Sequence, residues 1–293
     1  MNIVGGLLAV ITPVFACAAI GVAWSRWGPN YETKFITTLV VNVGTPCLVF
    51  STLTATVTDT KVFVTMAFAA IASIICFAAI SALILSWSQL PQRVYLPSLI
   101  FGNTGNMGLP LSLFAFGDLG LGLAIVYFTV AAIGTFTFGS TLSSGRMRPR
   151  ELALSPLNHA VILSILCMVI DVQLPSWVTN PIDLIGQLTI PLMLITLGVS
   201  LHNLRINALK RALLLSMLRI GMGFIIGYLL SSILGLEGAM KGVFIIQCTM
   251  PVAVFNYLFA QRDGCRPEEV AGLVLISTII SFTTLPLLLL LVL

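Results

Sequence analysis

Residues 101–110 read Phe101-Gly-Asn-Thr-Gly-Asn-Met-Gly-Leu-Pro110, in the middle of an otherwise apolar stretch. Three glycines, two asparagines and a proline in ten residues are incompatible with a continuous helix facing lipid. Glycine disfavours the helix, and proline removes one backbone hydrogen bond while crowding the carbonyl four residues back. Backbone groups freed in this way are tolerated at membrane depth only where protein or a water-filled cavity meets them. The stretch therefore predicts an interrupted span beside a cavity. A second stretch has the same defect at Pro251, with Gln247 before it and Asn256 after it.

The two stretches belong to a wider pattern. Four apolar segments carry a side-chain amide four residues ahead of a proline: Asn42 and Pro46, Asn106 and Pro110, Gln187 and Pro191, Gln247 and Pro251. The first and third pairs are 145 residues apart, the second and fourth 141. Flanking text repeats as well: Pro110-Leu-Ser-Leu-Phe-Ala-Phe116 is similar to Pro251-Val-Ala-Val-Phe-Asn-Tyr257. Two halves with proline-broken helices at matching places are the sequence signature of a secondary transporter. On this reading the two broken helices cross near the midplane. Their half-helix N-termini offer unpaired N–H groups and a positive partial charge, which suit a carboxylate. The expected substrate-binding residues are Asn103, Gly105, Asn106, Pro110, Gln247, Pro251 and Asn256. Asn42, Pro46, Gln187 and Pro191 are expected to form gentler kinks on the opposite wall. The plainer alternative makes the prolines simple kinks and the amides interhelical hydrogen bonds.

Composition fits an all-α membrane protein. Of 293 residues, 58% are hydrophobic and 8% charged, with a mean hydropathy of +1.08. A soluble domain carries about 25% charged residues. At about 20 apolar residues per crossing, the pattern predicts ten spans near 3–24, 33–55, 62–86, 94–115, 120–141, 156–173, 181–202, 208–233, 239–260 and 268–292. A first repeat over 1–142 and a second over 156–293 flank a polar link, 143–155. Five spans per half make the second half inverted. The basic residues Arg26, Lys34, Arg93, Arg146, Arg148, Arg150, Arg205, Lys210, Arg211, Arg262 and Arg266 fall on one side, and only Lys61 and Lys241 on the other. The positive-inside bias puts the link in the cytoplasm and both termini outside. The first apolar run has no basic residue ahead of it, so it reads as a retained span and not a signal peptide.

Other chemistries find little support. The six cysteines have no metal or redox spacing, no cofactor motif is present, and the dispersed basic residues do not make a nucleic-acid surface. All ten acids fall in loops or at span ends, which argues against carboxylate-based proton coupling but leaves open sodium held by carbonyls and amides. His159 and His202 sit at span ends, so no nucleophile–base pair for an enzyme is evident. Arg219 lies eight residues past Arg211, about 12 Å deeper along a helix. It is either a functional intramembrane charge belonging to the substrate site or a side chain that snorkels back to the interface. Tyr127 and Thr129 could also face the cavity.

Asn103-Thr-Gly-Asn-Met-Gly-Leu-Pro-Leu111 resembles the fourth-helix motif of the auxin efflux carrier family, which holds plant auxin carriers and bacterial malonate and malate permease-like proteins. Met250-Pro-Val-Ala-Val-Phe-Asn-Tyr-Leu-Phe-Ala260 and Ile190-Pro-Leu-Met-Leu-Ile-Thr-Leu-Gly-Val-Ser-Leu201 resemble it too, in order along the chain. The resemblance implies a ten-helix fold like that of bile-acid sodium symporters, with spans 1, 2, 6 and 7 as a scaffold and spans 3–5 and 8–10 as a transport domain. It implies an elevator-type movement, small organic anions as substrates, a plasma-membrane location and a homodimer through the scaffold. Asn103 matches the asparagine at the substrate carboxylate, and Pro110 and Pro251 match the crossover prolines. Asn256 stands where plant members tend to carry a second proline. A sodium-coupled anion symporter of the same fold is the alternative.

Overall fold

The computed structural model describes residues 3–56, 60–139, 141–142, 155–170, 172, 174–203 and 208–292. Most of the polar link with Arg146, Arg148, Arg150 and Glu151, as well as Asp59, Asp171, Arg205 and the His202 side chain, lies outside the described residues. Among the described residues twelve α-helices follow one another: α1 (Ile3–Trp27), α2 (Thr33–Leu39), α3 (Thr45–Thr56), α4 (Thr60–Trp87), α5 (Gln92–Ile100), α6 (Leu109–Gly134), α7 (Pro156–Ile170), α8 (Ser176–Asn203), α9 (Leu209–Ile233), α10 (Gly238–Thr249), α11 (Val254–Asp263) and α12 (Pro267–Val292). Five-residue π-helical turns stand at Val40–Gly44, Thr104–Gly108 and Thr135–Gly139. Among the described residues, seven helical stretches are long and apolar enough to cross a membrane.

The helices are apolar on faces that a soluble protein would make polar. On α4, Val64, Phe68, Ile71 and Ile75 are 48–61% exposed, while Met66, Ala69, Ala70, Ser73 and Phe77 on the other face are fully buried. Both sets recur every three to four residues, so one face packs inward and an equally greasy face points out. Lipid is the solvent for such a surface. Trp27, Trp87 and Trp177 stand exposed at helix ends, the level at which amphipathic rings meet headgroups.

Glycine decides where one long helix becomes two. The apolar stretch Thr104–Gly139 runs for 36 residues, about 54 Å if straight against a hydrocarbon core of about 30 Å. Gly117 interrupts it with φ 63° and ψ −154°, a conformation that a side chain would make costly. Gly117, Asp118 and Leu119 are exposed at this corner, whereas residues 120–127 behind it are buried.

Candidate functional site

Two interruptions meet inside the bundle. Helix α5 stops at Ile100, Phe101 is extended, and the chain turns helical again at Thr104. Helix α10 stops at Thr249, Met250 and Ala253 are extended, and α11 starts at Val254. The unwound segments lie antiparallel, with a single bridge between Gly102 and Val252. The Asn103 N–H donates to the Pro251 carbonyl at 2.6 Å, and the Ala253 N–H to the Phe101 carbonyl at 3.3 Å. Asn256 Nδ2 adds a bond to the same Phe101 carbonyl at 3.0 Å, and the Val252 N–H reaches Ser277 Oγ on α12 at 3.0 Å. Each unpaired backbone group in hydrocarbon costs several kcal/mol, so these four bonds are what allow both helices to unwind here.

The amide–proline register misplaces the first break. It sets Pro110 opposite Pro251, but Pro110 lies seven residues past Asn103, at the start of α6. The π-helical turn Thr104–Gly108 just ahead of it accommodates the proline without ending the helix. The flexible Gly102-Asn103 step carries the interruption instead. The helices stop at Ile100 and Thr249 and restart at Thr104 and Val254, so the breaks correspond at a spacing of about 150 residues. That pairs Asn106 with Asn256, not with Gln247. Pro251 does sit in the crossing, and its carbonyl holds Asn103.

A cavity of about 420 Å³ opens beside the crossing. Of the expected residues, Asn42, Asn103, Gly105 and Asn106 line it. Pro110, Gln247, Pro251, Asn256 and Arg219 do not, nor do Pro46, Gln187 and Pro191. Gln187 and Pro191 are exposed, so the far wall from α8 is made by Met193 and Thr196. Gln247 is fully buried with neither amide atom paired, packed against Gly108. Tyr127 points away from the cavity to Ser73 (2.9 Å) and Cys248 (3.6 Å), and buried Thr129 is not in the lining either. His159 bonds the Ser155 carbonyl at 2.8 Å at the start of α7. No disulfide joins the six cysteines, and no group of metal-binding side chains assembles among the described residues.

Among the described residues, the lining contains no charged side chain. Its apolar part includes Val40, Val41, Phe128, Leu157, Met193 and Phe255, and its polar part is threonines, asparagines, Ser155 and glycine backbone. Asn103 Nδ2 and Thr45 Oγ1 are buried and without partners, and among the described residues no acceptor meets the N–H groups of Gly105 and Asn106. Those N–H groups belong to the first turn of a helix, which leaves its donors free. The walls can therefore give several hydrogen bonds to an oxygen-rich guest without adding a charge of their own.

Sequence reasoning missed Thr37, Thr45, Phe128, Met193 and Thr196. A signal for part of this was present. The Asn-bearing motifs are both Asn-x-Gly-x-Pro (Asn42 to Pro46 and Asn106 to Pro110), and the Gln-bearing ones are both Gln-x-Thr-x-Pro. Each Asn motif holds its asparagine and glycine in a π-helical turn and places that turn on the cavity.

The sequence profile of the membrane transport protein family matches residues 8–146 and again 139–289. The chain belongs to this family. An uncharacterized transporter of Methanocaldococcus jannaschii is 24% identical over 277 residues, 87% of this chain and 88% of that protein. An uncharacterized transporter of Methanothermobacter thermautotrophicus is 28% identical over 196 residues, 63% of each chain. As a member of the membrane transport protein family the chain is a multi-pass membrane transporter and not an enzyme.

Proposed function

We propose that the chain is a secondary carrier for a small organic anion, bound by its carboxylate at the crossing of the two broken helices. The observation that carries this reading is the donor set of the cavity: buried, unpartnered Asn103 Nδ2 beside the open N–H groups of Gly105 and Asn106, at a helix N-terminus. A helix N-terminus carries a positive partial charge and favours anions. Among the described residues no acidic side chain lines the cavity, which suits a negative guest. A volume of about 420 Å³ suits a small organic molecule, and Phe128 and Phe255 favour one with an apolar body.

The ten-span, five-plus-five arrangement is part of the proposal. Ten crossings are reached if the stretch divided at Gly117 counts as two, the first of them continued from α5, and α7 and the α10–α11 pair are added to the other six long helical stretches. The cavity lies between α2–α3, α7 and α8 on one side and the crossing with the later part of α6 on the other. An elevator-type movement would slide the second group, with its bound anion, past the first. The excess of basic residues on one side supports a cytoplasmic link and outward termini in a plasma membrane.

Uptake into proteoliposomes tests the reading. Wild-type protein should show saturable uptake of a carboxylate, and Asn103→Ala should abolish it while the purified variant keeps its elution volume and helical content. Unchanged uptake kinetics in that variant would remove the crossing from the site.

A further inference from the structure

Arg219 is the largest fully buried side chain in the described residues, with 1% exposure. It does not snorkel. Its Nη1 donates to the Cys248 carbonyl at 2.9 Å, and its guanidinium carbon lies 4.3 Å from the centre of the Phe77 ring. Nε has no partner, and no carboxylate pairs with it among the described residues. The groups recorded around it among the described residues are neutral: Phe77 on α4, Tyr127 on α6, Cys248 on α10 and Gly223 on its own helix. A buried cation without a counter-ion is expensive, so its retention calls for a reason.

The position gives two. Cys248 is in the last turn of α10, where unpaired carbonyls concentrate negative partial charge. In broken membrane helices such C-terminal ends are where driving cations are coordinated, and here a side chain of the protein already occupies one. On its other side the guanidinium reaches the cavity wall. A methyl group on Gly102 would collide with Nη2, and Gly102 is itself a lining residue. Gly102, which has no side chain, touches both the cation and the cavity.

We infer that Arg219 is a resident counter-cation: it supplies the positive charge for the bound anion from behind Gly102, and it replaces an exchangeable driving cation at the end of α10. Arg219 touches no substrate and acts as a positioning and charge-setting residue. This rests on the anion-site reading above. A unit charge one residue layer away in a low-dielectric interior changes anion affinity by about ten- to a hundredfold, and it has little effect on a neutral molecule of the same shape.

The test compares an acid with its amide. Binding of indole-3-acetate and of indole-3-acetamide is measured calorimetrically on purified protein, in sodium chloride and in choline chloride. Wild-type protein should bind the acid equally well in both salts. Arg219→Gln should bind the acid at least tenfold more weakly and the amide within about twofold of wild type, and Arg219→Lys should regain most of the affinity for the acid. An equal loss for acid and amide would make Arg219 a purely structural residue and overturn the inference. So would a tenfold sodium dependence of the wild type, a result available even if Arg219→Gln does not fold. Wild-type protein that takes neither compound, or prefers the amide, would instead contradict the anion site before Arg219 comes into question.

Discussion

Asn42 and Asn106 stand four residues ahead of a proline, and so do Gln187 and Gln247, yet the two pairs produce different backbones. Both asparagine motifs widen into a π-helical turn that faces the cavity. Of the glutamine motifs, one stays inside the continuous helix α8 and the other unwinds altogether at Pro251. The proline defect is the same in all four: it strips the partner from the carbonyl four residues back and presses on it. What differs is the residue two before the proline. It is Gly44 and Gly108 in the asparagine motifs, and Thr189 and Thr249 in the glutamine motifs. Each threonine hydroxyl bonds a carbonyl one turn back, Thr189 to Ile185 at 3.4 Å and Thr249 to Ile245 at 2.7 Å. The two types also fit each other. A side chain on Gly44 would meet Thr189 Oγ1 at 2.6 Å, and one on Gly108 would run into Gln247. The glycine of each asparagine motif is the seat for a polar side chain of a glutamine motif in the other half of the chain.

The comparison breaks most readily at the prolines. Pro251 holds Met250 extended, because the residue before a proline avoids the helical region, and its carbonyl anchors Asn103. Pro251→Ala should let α10 run on and should cut the uptake rate by about tenfold or more. Pro110→Ala, where the π-helical turn just ahead already accommodates the proline, should change it by less than about threefold. Parallel rate measurements on the two variants decide whether the crossing or the proline count matters.

The glycine seats come next. Gly108→Ala should destabilise the protein by about 1–3 kcal/mol, the usual cost of overpacking a filled interior, read as a lower midpoint in thermal unfolding. Paired with Gln247→Ala, which opens the space, it should lose much of that penalty. An unchanged midpoint for Gly108→Ala alone would mean that the π turn yields freely.

The smallest effect separates the two amides on the second and seventh expected spans. Asn42 lines the cavity, and Gln187 is exposed outside it. Asn42→Ala should weaken carboxylate binding about three- to tenfold, the worth of roughly one net hydrogen bond. Gln187→Ala should leave it within about twofold.

This contrast also marks how far the sequence could be read. The interrupted segment at Phe101–Pro110 was legible because glycine, asparagine and proline in lipid have few other outcomes. Asn103, Asn106, Gly105 and Asn42 came with it. The register of the crossing was not legible. A proline is conspicuous in a sequence, but the chain unwinds where antiparallel partners can pair the freed N–H and C=O groups, and Gly102-Asn103 meets that need where Pro110 does not. The wall residues Phe128, Met193 and Thr196 were hidden for a related reason: in a helix that is apolar all round, periodicity does not tell a lipid face from a cavity face. Arg219 showed itself as an outlier in charge, but only the close approach allowed by Gly102 and Gly223 distinguishes a buried cation from one that reaches back to the headgroups.

The account stands or falls on a carboxylate meeting neutral donors at Asn103. Asn103→Asp keeps the size of the side chain and replaces an N–H donor by an acceptor with negative charge. Calorimetric titration of purified protein with indole-3-acetate should show binding to wild type and a loss of at least a hundredfold in Asn103→Asp, with the neutral amide affected far less. Wild-type affinity for the acid in Asn103→Asp would contradict the central claim.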